Sequence, residues 1–333
     1  MVNKRKIYIC TTYYHVLVTL AKTLLEKSKI KNTDIIVCDD IIEVESLCQK
    51  LKKYNLFNKI FFVKQSEMPE FVSNNIFKNL LYLHPFNYAM TSKYINVNFD
   101  NYSDIYIFHD DTKIGHYLND AGYYYHLIED SLNFYQKILN TPFRYAVISN
   151  WKYYLKRILN YKYLPLGNSK YVLDIEVNEN KNLQIKRKKV VEINRKDLLN
   201  KAFFGYKDII LGIFFNLDIK DLLKEENKAL VLTEPLYKDK ILQSKQEQLL
   251  FYRKIVQDLK RQKFKVYIKP HPRDSIDYSS LISDINVINR AFPIEIFNFI
   301  DGLSFSIVAS KNSSCLDALD FAKAKMNYYK KID

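Results

Sequence analysis

Short apolar runs alternate with amphipathic segments along the first part of the chain. Runs at 7–10, 34–38 and 104–108 have the length and the β-branched or aromatic content of buried strands. Segments between them, such as 14–27, repeat apolar residues at helical spacing. Strands that alternate with helices form right-handed βαβ units, so residues 1–160 are predicted to form a Rossmann-like domain with a parallel sheet.

The pattern weakens over 161–226, which we interpret as the crossing or linker region. Alternation resumes with apolar runs at 229–236, 265–268 and 303–309, separated by helical segments. Residues 227–333 are therefore predicted to be a second Rossmann-like domain. The expected fold class is α/β, with two parallel sheets facing a central cleft.

Composition narrows the possible partners. The chain of 333 residues is 48% hydrophobic and carries a formal net charge of +14, which suits nucleic acid, an anionic membrane surface or an anionic substrate. Abundant Lys, Asn, Ile and Tyr also accompany AT-rich coding, so codon usage is a second explanation of the charge. Neither an RNA-binding aromatic signature nor zinc-finger spacing is present, and a nucleic-acid partner is not expected.

The cysteines and the apolar runs bear on location. Cys10, Cys38, Cys48 and Cys315 form no CxxC pair, and buried free thiols suit a reducing cytoplasm. No apolar run reaches the length of a membrane span. We expect a cytoplasmic protein, with the basic cluster at 186–189 able to contact the anionic inner face of the membrane.

The clearest candidate chemistry lies in the Lys-Pro-His-Pro-Arg-Asp stretch at 269–274. It follows an apolar run that predicts a strand, and its two prolines hold the chain extended. His271 is therefore expected at the carboxyl end of a strand, where α/β sheets bind ligands. An imidazole beside two cations suits an anionic leaving group such as a phosphate. A turn histidine without function is the alternative.

A second candidate is the acidic pair Glu129 and Asp130, which follows the predicted strand 123–128 and precedes Ser131. Two close carboxylates raise the pKa of one of them, which favours a general base near neutral pH. An acidic helix start stabilised by the helix dipole is the alternative.

Weaker candidates lie at other predicted strand ends. Thr11 and Thr12 follow the first strand, and Ser313 and Ser314 open a predicted helix whose free N–H groups favour anions. Plain helix capping explains all four equally well. The Asp110-Asp111 pair lacks the spacing and the third ligand of a metal site.

The order of these signals resembles the bacterial sialyltransferases of the GT-B fold, and most closely glycosyltransferase family 52. That family carries an acidic-acidic-Gly motif, a His-Pro motif and a Ser/Thr motif. In this chain the three motifs resemble, in the same order, Glu129-Asp130-Ser131, Pro270-His271-Pro272 and Ser313-Ser314. The resemblance spans about residues 7–320. The family's glycine is Ser131 in this chain.

The resemblance implies a role for each matching residue. Asp130 would be the base that deprotonates the acceptor hydroxyl, with Glu129 as a supporting or alternative carboxylate. His271 would be the general acid at the phosphate of CMP. Ser313 and Ser314 would hold that phosphate, Glu295 would bind the ribose of cytidine, and Thr233 with Pro235 would line the donor pocket. The other predicted substrate-binding residues are Lys269, Pro272, Arg273, Thr11, Thr12 and Ser131.

The resemblance further implies an inverting transfer of sialic acid from CMP-sialic acid to a glycan of lipooligosaccharide or capsule. Cationic side chains would replace a metal, so no cofactor is expected. A wall-polymer transferase of the CDP-glycerol type and a UDP-sugar transferase remain open. So do a non-enzymatic nucleotide- or RNA-binding role and a homodimeric state.

Overall fold

The computed structural model describes residues 5–26, 32–69, 91–132, 134, 167, 169–180, 189–215, 220–311 and 316–328. The chain divides into two compact units, Met1–Ile213 and Phe214–Asp333. Each unit is built on one sheet in which all neighbouring strands are parallel. The predicted α/β class with two parallel sheets is confirmed.

The first unit contains a seven-stranded sheet in the order β3-β2-β1-β4-β5-β6-β7. Its strands are β1 Lys6–Cys10, β2 Thr33–Cys38, β3 Ile60–Val63, β4 Asp104–Ile107, β5 Tyr125–Ile128, β6 Val172–Val177 and β7 Lys189–Glu192. Its described helices are α1 Tyr13–Leu25, α2 Val44–Lys53, α3 Lys113–Ala121 and the first-unit part of α4 Arg195–Phe214, with short 3₁₀ turns at Gln65–Glu67 and Phe99–Asn101. The strand order reverses between β1 and β4, which makes the carboxyl ends of these two strands the expected ligand position.

The second unit contains a five-stranded sheet in the order β10-β9-β8-β11-β12. Its strands are β8 Lys228–Leu232, β9 Lys265–Lys269, β10 Asn286–Val287, β11 Phe305–Ser310 and β12 Ala322–Asn327. Its helices are α5 Lys220–Lys224, α6 Lys245–Arg261 and α7 Tyr278–Leu281, with 3₁₀ turns at Ile294–Phe299 and Leu316–Ala318. Here the order reverses between β8 and β11.

Burial explains why most strands were visible in the sequence. All six residues of β2 and all five of β8 are buried, because a parallel strand is covered on both faces. Cys10 and Cys38 are buried free thiols, as expected. No helix within the described ranges is both long and apolar enough to cross a membrane.

The stretch 161–226 is more regular than the sequence pattern indicates. It contains β6 and β7, which extend the first sheet at one edge, and α4, whose backbone is kinked at Tyr206 (φ −142°). Charged residues interrupt both strands, so their apolar pattern is weak. Residues 181–188, which hold most of the predicted basic cluster, lie outside the described residues.

Candidate functional site

The first unit brings a histidine and a carboxylate together beside the reversal of its strand order. Thr12 caps α1 by accepting the main-chain N–H of His15 at 3.2 Å, so the cap interpretation of this threonine is confirmed. The cap turns His15 toward β4, where its ring stacks on Phe108 with centroids 4.3 Å apart. Nε2 of His15 lies 3.0 Å from Oδ1 of Asp130 and 3.1 Å from its carbonyl oxygen.

Thr11 determines which ring nitrogen of His15 carries the proton. Its main-chain N–H donates to Nδ1 of His15 at 3.2 Å, and its hydroxyl lies at the same distance. Because Nδ1 accepts, the proton of the neutral ring lies on Nε2 and is donated to Asp130. His15 is 1% exposed, whereas the side chain of Asp130 is 27% exposed. The carboxylate of Asp130 is therefore partly exposed to solvent, and the buried ring of His15 donates a hydrogen bond to it.

The charge state of Asp130 differs from the sequence expectation. Burial raises its pKa, but the hydrogen bond from His15 and the electrostatic interactions with His15 and His109 outweigh burial and lower it. The sequence predicts a raised pKa for one carboxyl of the acidic pair, and Asp130 is not that carboxyl. Asp130 is a carboxylate at neutral pH that can accept a proton.

Glu129 has a different environment from its neighbour. It is 2% exposed, and its Oε2 accepts the main-chain N–H of Asn178 at 2.7 Å. Its own N–H donates to the carbonyl oxygen of Glu176. Glu129 thus ties β5 to the end of β6. Ser131 is not among the described residues with positive φ, so this loop does not need the backbone freedom of glycine.

The two residues of the second acidic pair, Asp110 and Asp111, also have different environments. Asp110 is fully buried, and its Oδ2 accepts from the hydroxyl of Tyr125 at 3.0 Å and from the N–H of Gly167 at 3.1 Å. Asp111 lies 3.4 Å from Nε2 of His116. No cluster of three His, Cys, Asp or Glu side chains suited to a metal occurs in the described part of the chain.

In the second unit, one buried threonine organises the loop that follows β9. The hydroxyl of Thr233 accepts the main-chain N–H of His271 at 3.1 Å and donates to Oδ2 of Asp274 at 2.6 Å. Tyr278 donates to the same carboxylate oxygen at 2.8 Å. Thr233 is 3% exposed. It was predicted to line the donor pocket, and the structure places it beneath the His271 loop, as a support.

His271 has a defined tautomer and an unusual charge state. Because Pro272 has no N–H, the next donor is the N–H of Arg273, which donates to Nδ1 of His271 at 3.0 Å. Burial and the positive charges of Arg273 and Lys269 lower the pKa of His271 to about 4, against an opposing effect of Asp239. The free ring is therefore neutral at pH 7, with its proton on Nε2.

The two cations beside His271 are held differently. Arg273 is half-exposed and pairs with both carboxylate oxygens of Asp239, at 3.1 and 3.2 Å. Lys269 is buried, with Nζ 4.6 Å from the ring centre of Phe292. Burial raises the pKa of Glu295, and a main-chain hydrogen bond and the charge of Lys269 oppose this. Lys269 and Glu295 thus influence each other electrostatically.

A further polar group lies where the second sheet reverses. Ser310, at the end of β11, donates to Oε1 of Glu234 at 3.3 Å. Lys311 is 5% exposed, and burial lowers its pKa although the charge of Glu234 opposes this. Ser313 and Ser314, which follow directly, lie outside the described residues. Pro235 is buried, and its carbonyl oxygen accepts the N–H of Asp239 in the turn that carries that residue.

Sequence reasoning missed the partners of the predicted residues. His15, Asp239, Asp274 and Glu234 were not identified as site residues. The only available signal for His15 was its position in the first turn of a predicted helix that follows a strand, near the edge of the sheet where ligands bind. The contact between His15 and Asp130 joins residues 115 positions apart, and nothing local in the sequence indicates it.

Two solved structures resemble this protein. A 2,6-sialyltransferase of Vibrionaceae Photobacterium sp. JT-ISH-224, in a ternary complex with CMP and lactose, matches with a TM-score of 0.54 and 12% identity. The match covers 96% of this chain and 71% of that chain. The GT-B domain of the Photobacterium damselae sialyltransferase gives a TM-score of 0.47 and 13% identity, covering 96% and 89%. The first of these likenesses shows the shared fold.

Two sequence matches add to the likeness in fold. A Haemophilus influenzae protein, described only as uncharacterized, is 31% identical over 144 residues. That match covers 43% of this chain and 45% of the relative, so it spans less than half of the relative's length. The sequence profile of glycosyltransferase family 52 matches residues 27–333. The chain has the GT-B fold and belongs to glycosyltransferase family 52.

Proposed function

We propose that this protein is a sialyltransferase that moves sialic acid from CMP-sialic acid to a hydroxyl of a cell-surface glycan, as in lipooligosaccharide or capsule. The observations that support the proposal are a candidate base in the first unit and a candidate hydrogen-bond donor to phosphate in the second. Asp130 is a partly exposed carboxylate, and His271 is a neutral Nε2–H imidazole beside two cations. The structural neighbour that binds CMP and lactose supports this choice of donor and acceptor.

The reaction follows from these two groups. Asp130 takes the proton of the acceptor hydroxyl as its oxygen bonds to the anomeric carbon of the donor. The bond from that carbon to the phosphate oxygen breaks, and its electron pair leaves with CMP. Nε2–H of His271 donates a hydrogen bond to the leaving phosphate and stabilises its developing charge, while the acceptor proton stays on Asp130 and then passes to solvent. Attack opposite the leaving group inverts the anomeric configuration.

Donor binding would use the charges around His271. Lys269 and Arg273 would neutralise the phosphate, so no metal is required for charge stabilisation. Ser313 and Ser314 would add hydrogen bonds to the phosphate, and Glu295 would bind the ribose of cytidine. The formal charge of +14 would favour work at the anionic inner face of the membrane, where lipid-linked acceptors lie.

Nucleotide binding tests the donor half of the proposal. A ligand that binds only the folded state raises Tm, and at equal concentration a ligand that binds more tightly raises it more. CMP is expected to raise Tm more than UMP or GMP does, and Arg273→Gln should reduce that shift. Stabilisation by UDP-glucose or by CDP-glycerol without a response to CMP would assign the protein to a different transferase. RNA retention that falls with salt, without any nucleotide response, would favour a binding protein instead.

A further inference from the structure

The geometry around β1 points to a role for a residue outside the proposed acid–base pair. We propose that His15 is a positioning residue that holds Asp130 in the orientation and the charge state required for proton abstraction. This inference rests on the proposed function, because it assigns Asp130 to the acceptor. It is derived from three contacts that all converge on one buried ring.

The ring of His15 cannot easily turn. Its edge is fixed by the Thr11 N–H at Nδ1 and by Asp130 at Nε2, and its face is stacked on Phe108 at an interplanar angle of 8°. A ring flip would exchange Nδ1 with Cδ2 and Nε2 with Cε1, and both hydrogen bonds would be lost. The donor that faces Asp130 is therefore preorganised before substrate arrives.

The contact leaves one oxygen of Asp130 for chemistry. Oδ1 accepts from His15, while Oδ2 makes no hydrogen bond to the described residues. A carboxylate held through one oxygen presents the other in a defined direction. The arrangement is the reverse of the Ser-His-Asp triad, because here the histidine orients the aspartate and the aspartate faces the substrate.

The groups around Asp130 determine how its pKa would change if His15 were replaced. The groups that lower its pKa are His15 on α1 and His109 after β4, and burial acts in the opposite direction. Glu129 precedes Asp130 in the sequence, and its carboxylate accepts a hydrogen bond from the main-chain N–H of Asn178. Without the His15 hydrogen bond, burial would outweigh the charge of His109, and the pKa of Asp130 should rise.

Two substitutions separate the hydrogen bond from the shape of the ring. His15→Phe keeps a ring against Phe108 but has no donor. His15→Gln places an amide N–H near the position of Nε2. A base must be deprotonated to act, so a higher pKa moves the acid limb of the kcat/KM profile to higher pH. We expect this shift in His15→Phe, with a loss of up to about 100-fold at neutral pH, and a smaller change in His15→Gln.

The same pair can be tested without turnover. The carboxyl carbon of Asp130, followed by NMR in the substrate-free protein, should titrate at higher pH in His15→Phe than in wild type and near the wild-type value in His15→Gln. The ¹⁵N signals of His15 in wild type should show a proton on Nε2 and none on Nδ1. Equal Asp130 titrations in wild type and His15→Phe, or a proton on Nδ1, would overturn the inference. A shifted titration without any sialyl transfer would overturn the proposed function alone.

Discussion

The main-chain N–H of Arg273 donates to Nδ1 of His271 at 3.0 Å. The same relationship occurs in the first unit, where the N–H of Thr11 donates to Nδ1 of His15 at 3.2 Å. In both units the backbone thus selects the Nε2–H tautomer of a histidine at the carboxyl edge of a parallel sheet. At one site the Nε2 proton is directed to a carboxylate, and at the other it is available to a ligand.

The low pKa of His271 predicts proton uptake when CMP binds. Burial and the charges of Arg273 and Lys269 hold the pKa of the free ring at about 4, and the negative charge of a bound phosphate would raise it. The ring is then protonated on binding at about pH 5.5, between the low free value and the ordinary value near 6.5. Calorimetry in two buffers of different ionisation enthalpy measures the uptake.

His271→Asn is the matched control for this uptake, because its side-chain oxygen can still accept the N–H of Arg273 but cannot be protonated. CMP itself contributes the same ionisation in both proteins. Wild type should therefore take up more protons than His271→Asn. Equal uptake in the two proteins would contradict the placement of the phosphate beside His271.

The two neighbouring carboxylates should respond differently to neutralisation. Asp130→Asn is expected to lower kcat by about 10²–10⁴-fold, because a positioned base contributes about this much, while CMP affinity is retained. Glu129→Gln should cost less activity and more stability, since its buried Oε2 holds the N–H of Asn178. Steady-state rates and melting curves measure both effects. The reverse order of activities would exchange the two roles, and near wild-type rates in both would make the loop a structural cap.

Thr233 should support nucleotide binding through the loop above it. Thr233→Val removes the acceptor of the His271 N–H and the donor to Asp274, so the free energy of unfolding should fall by about 1–3 kcal/mol. CMP affinity should fall with it. Thr23→Val is the control, because the buried hydroxyl of Thr23 has no hydrogen-bond partner among the described residues. Its stability should be unchanged or higher. Denaturant titrations that show equal losses in both variants would refute the role of Thr233.

Gly115 should be required by the loop that carries Asp110. A Cβ at this position would lie 2.2 Å from the carbonyl oxygen of Asp110, and backbone atoms cannot give way as a flexible side chain can. Gly115→Ala is expected to reduce the free energy of unfolding by at least about 1–3 kcal/mol. A Cβ at Gly205 would meet no atom of the described residues within 4 Å, so Gly205→Ala should gain about 0.5–1 kcal/mol as a helical alanine. Thermal denaturation distinguishes the two, and equal Tm values would contradict the close approach.

The central strands of both sheets could be predicted because burial on both faces makes them continuous apolar runs. The predicted runs at 34–38 and 265–268 correspond to β2 and β9. β6 reads Val-Leu-Asp-Ile-Glu-Val, and its two acidic residues hide the strand. One of them, Glu176, is buried in contact with Lys22 and Arg195. This compensation joins three separate elements and leaves no local signal in the sequence.

The candidate site was visible as single residues but not as a network. In a parallel sheet the residues that follow the strands lie at one edge of that sheet. This rule identified Asp130 as a candidate in the first sheet and His271 as a candidate in the second. Glu129 and Asp130 looked like a coupled pair, yet successive side chains of an extended segment point to opposite sides. One therefore turns into the core and the other toward His15. Their separation is a property of the fold, and so is the lowered pKa of Asp130.

The most direct test of the account is an assay with CMP-sialic acid and lactose in excess EDTA. Our account predicts that free CMP and sialyl-lactose appear in equal amounts, that NMR shows an anomeric configuration inverted relative to the donor, and that Asp130→Asn forms both products about 10²–10⁴-fold more slowly. CMP-sialic acid left intact while a UDP-sugar or CDP-glycerol is consumed would contradict it.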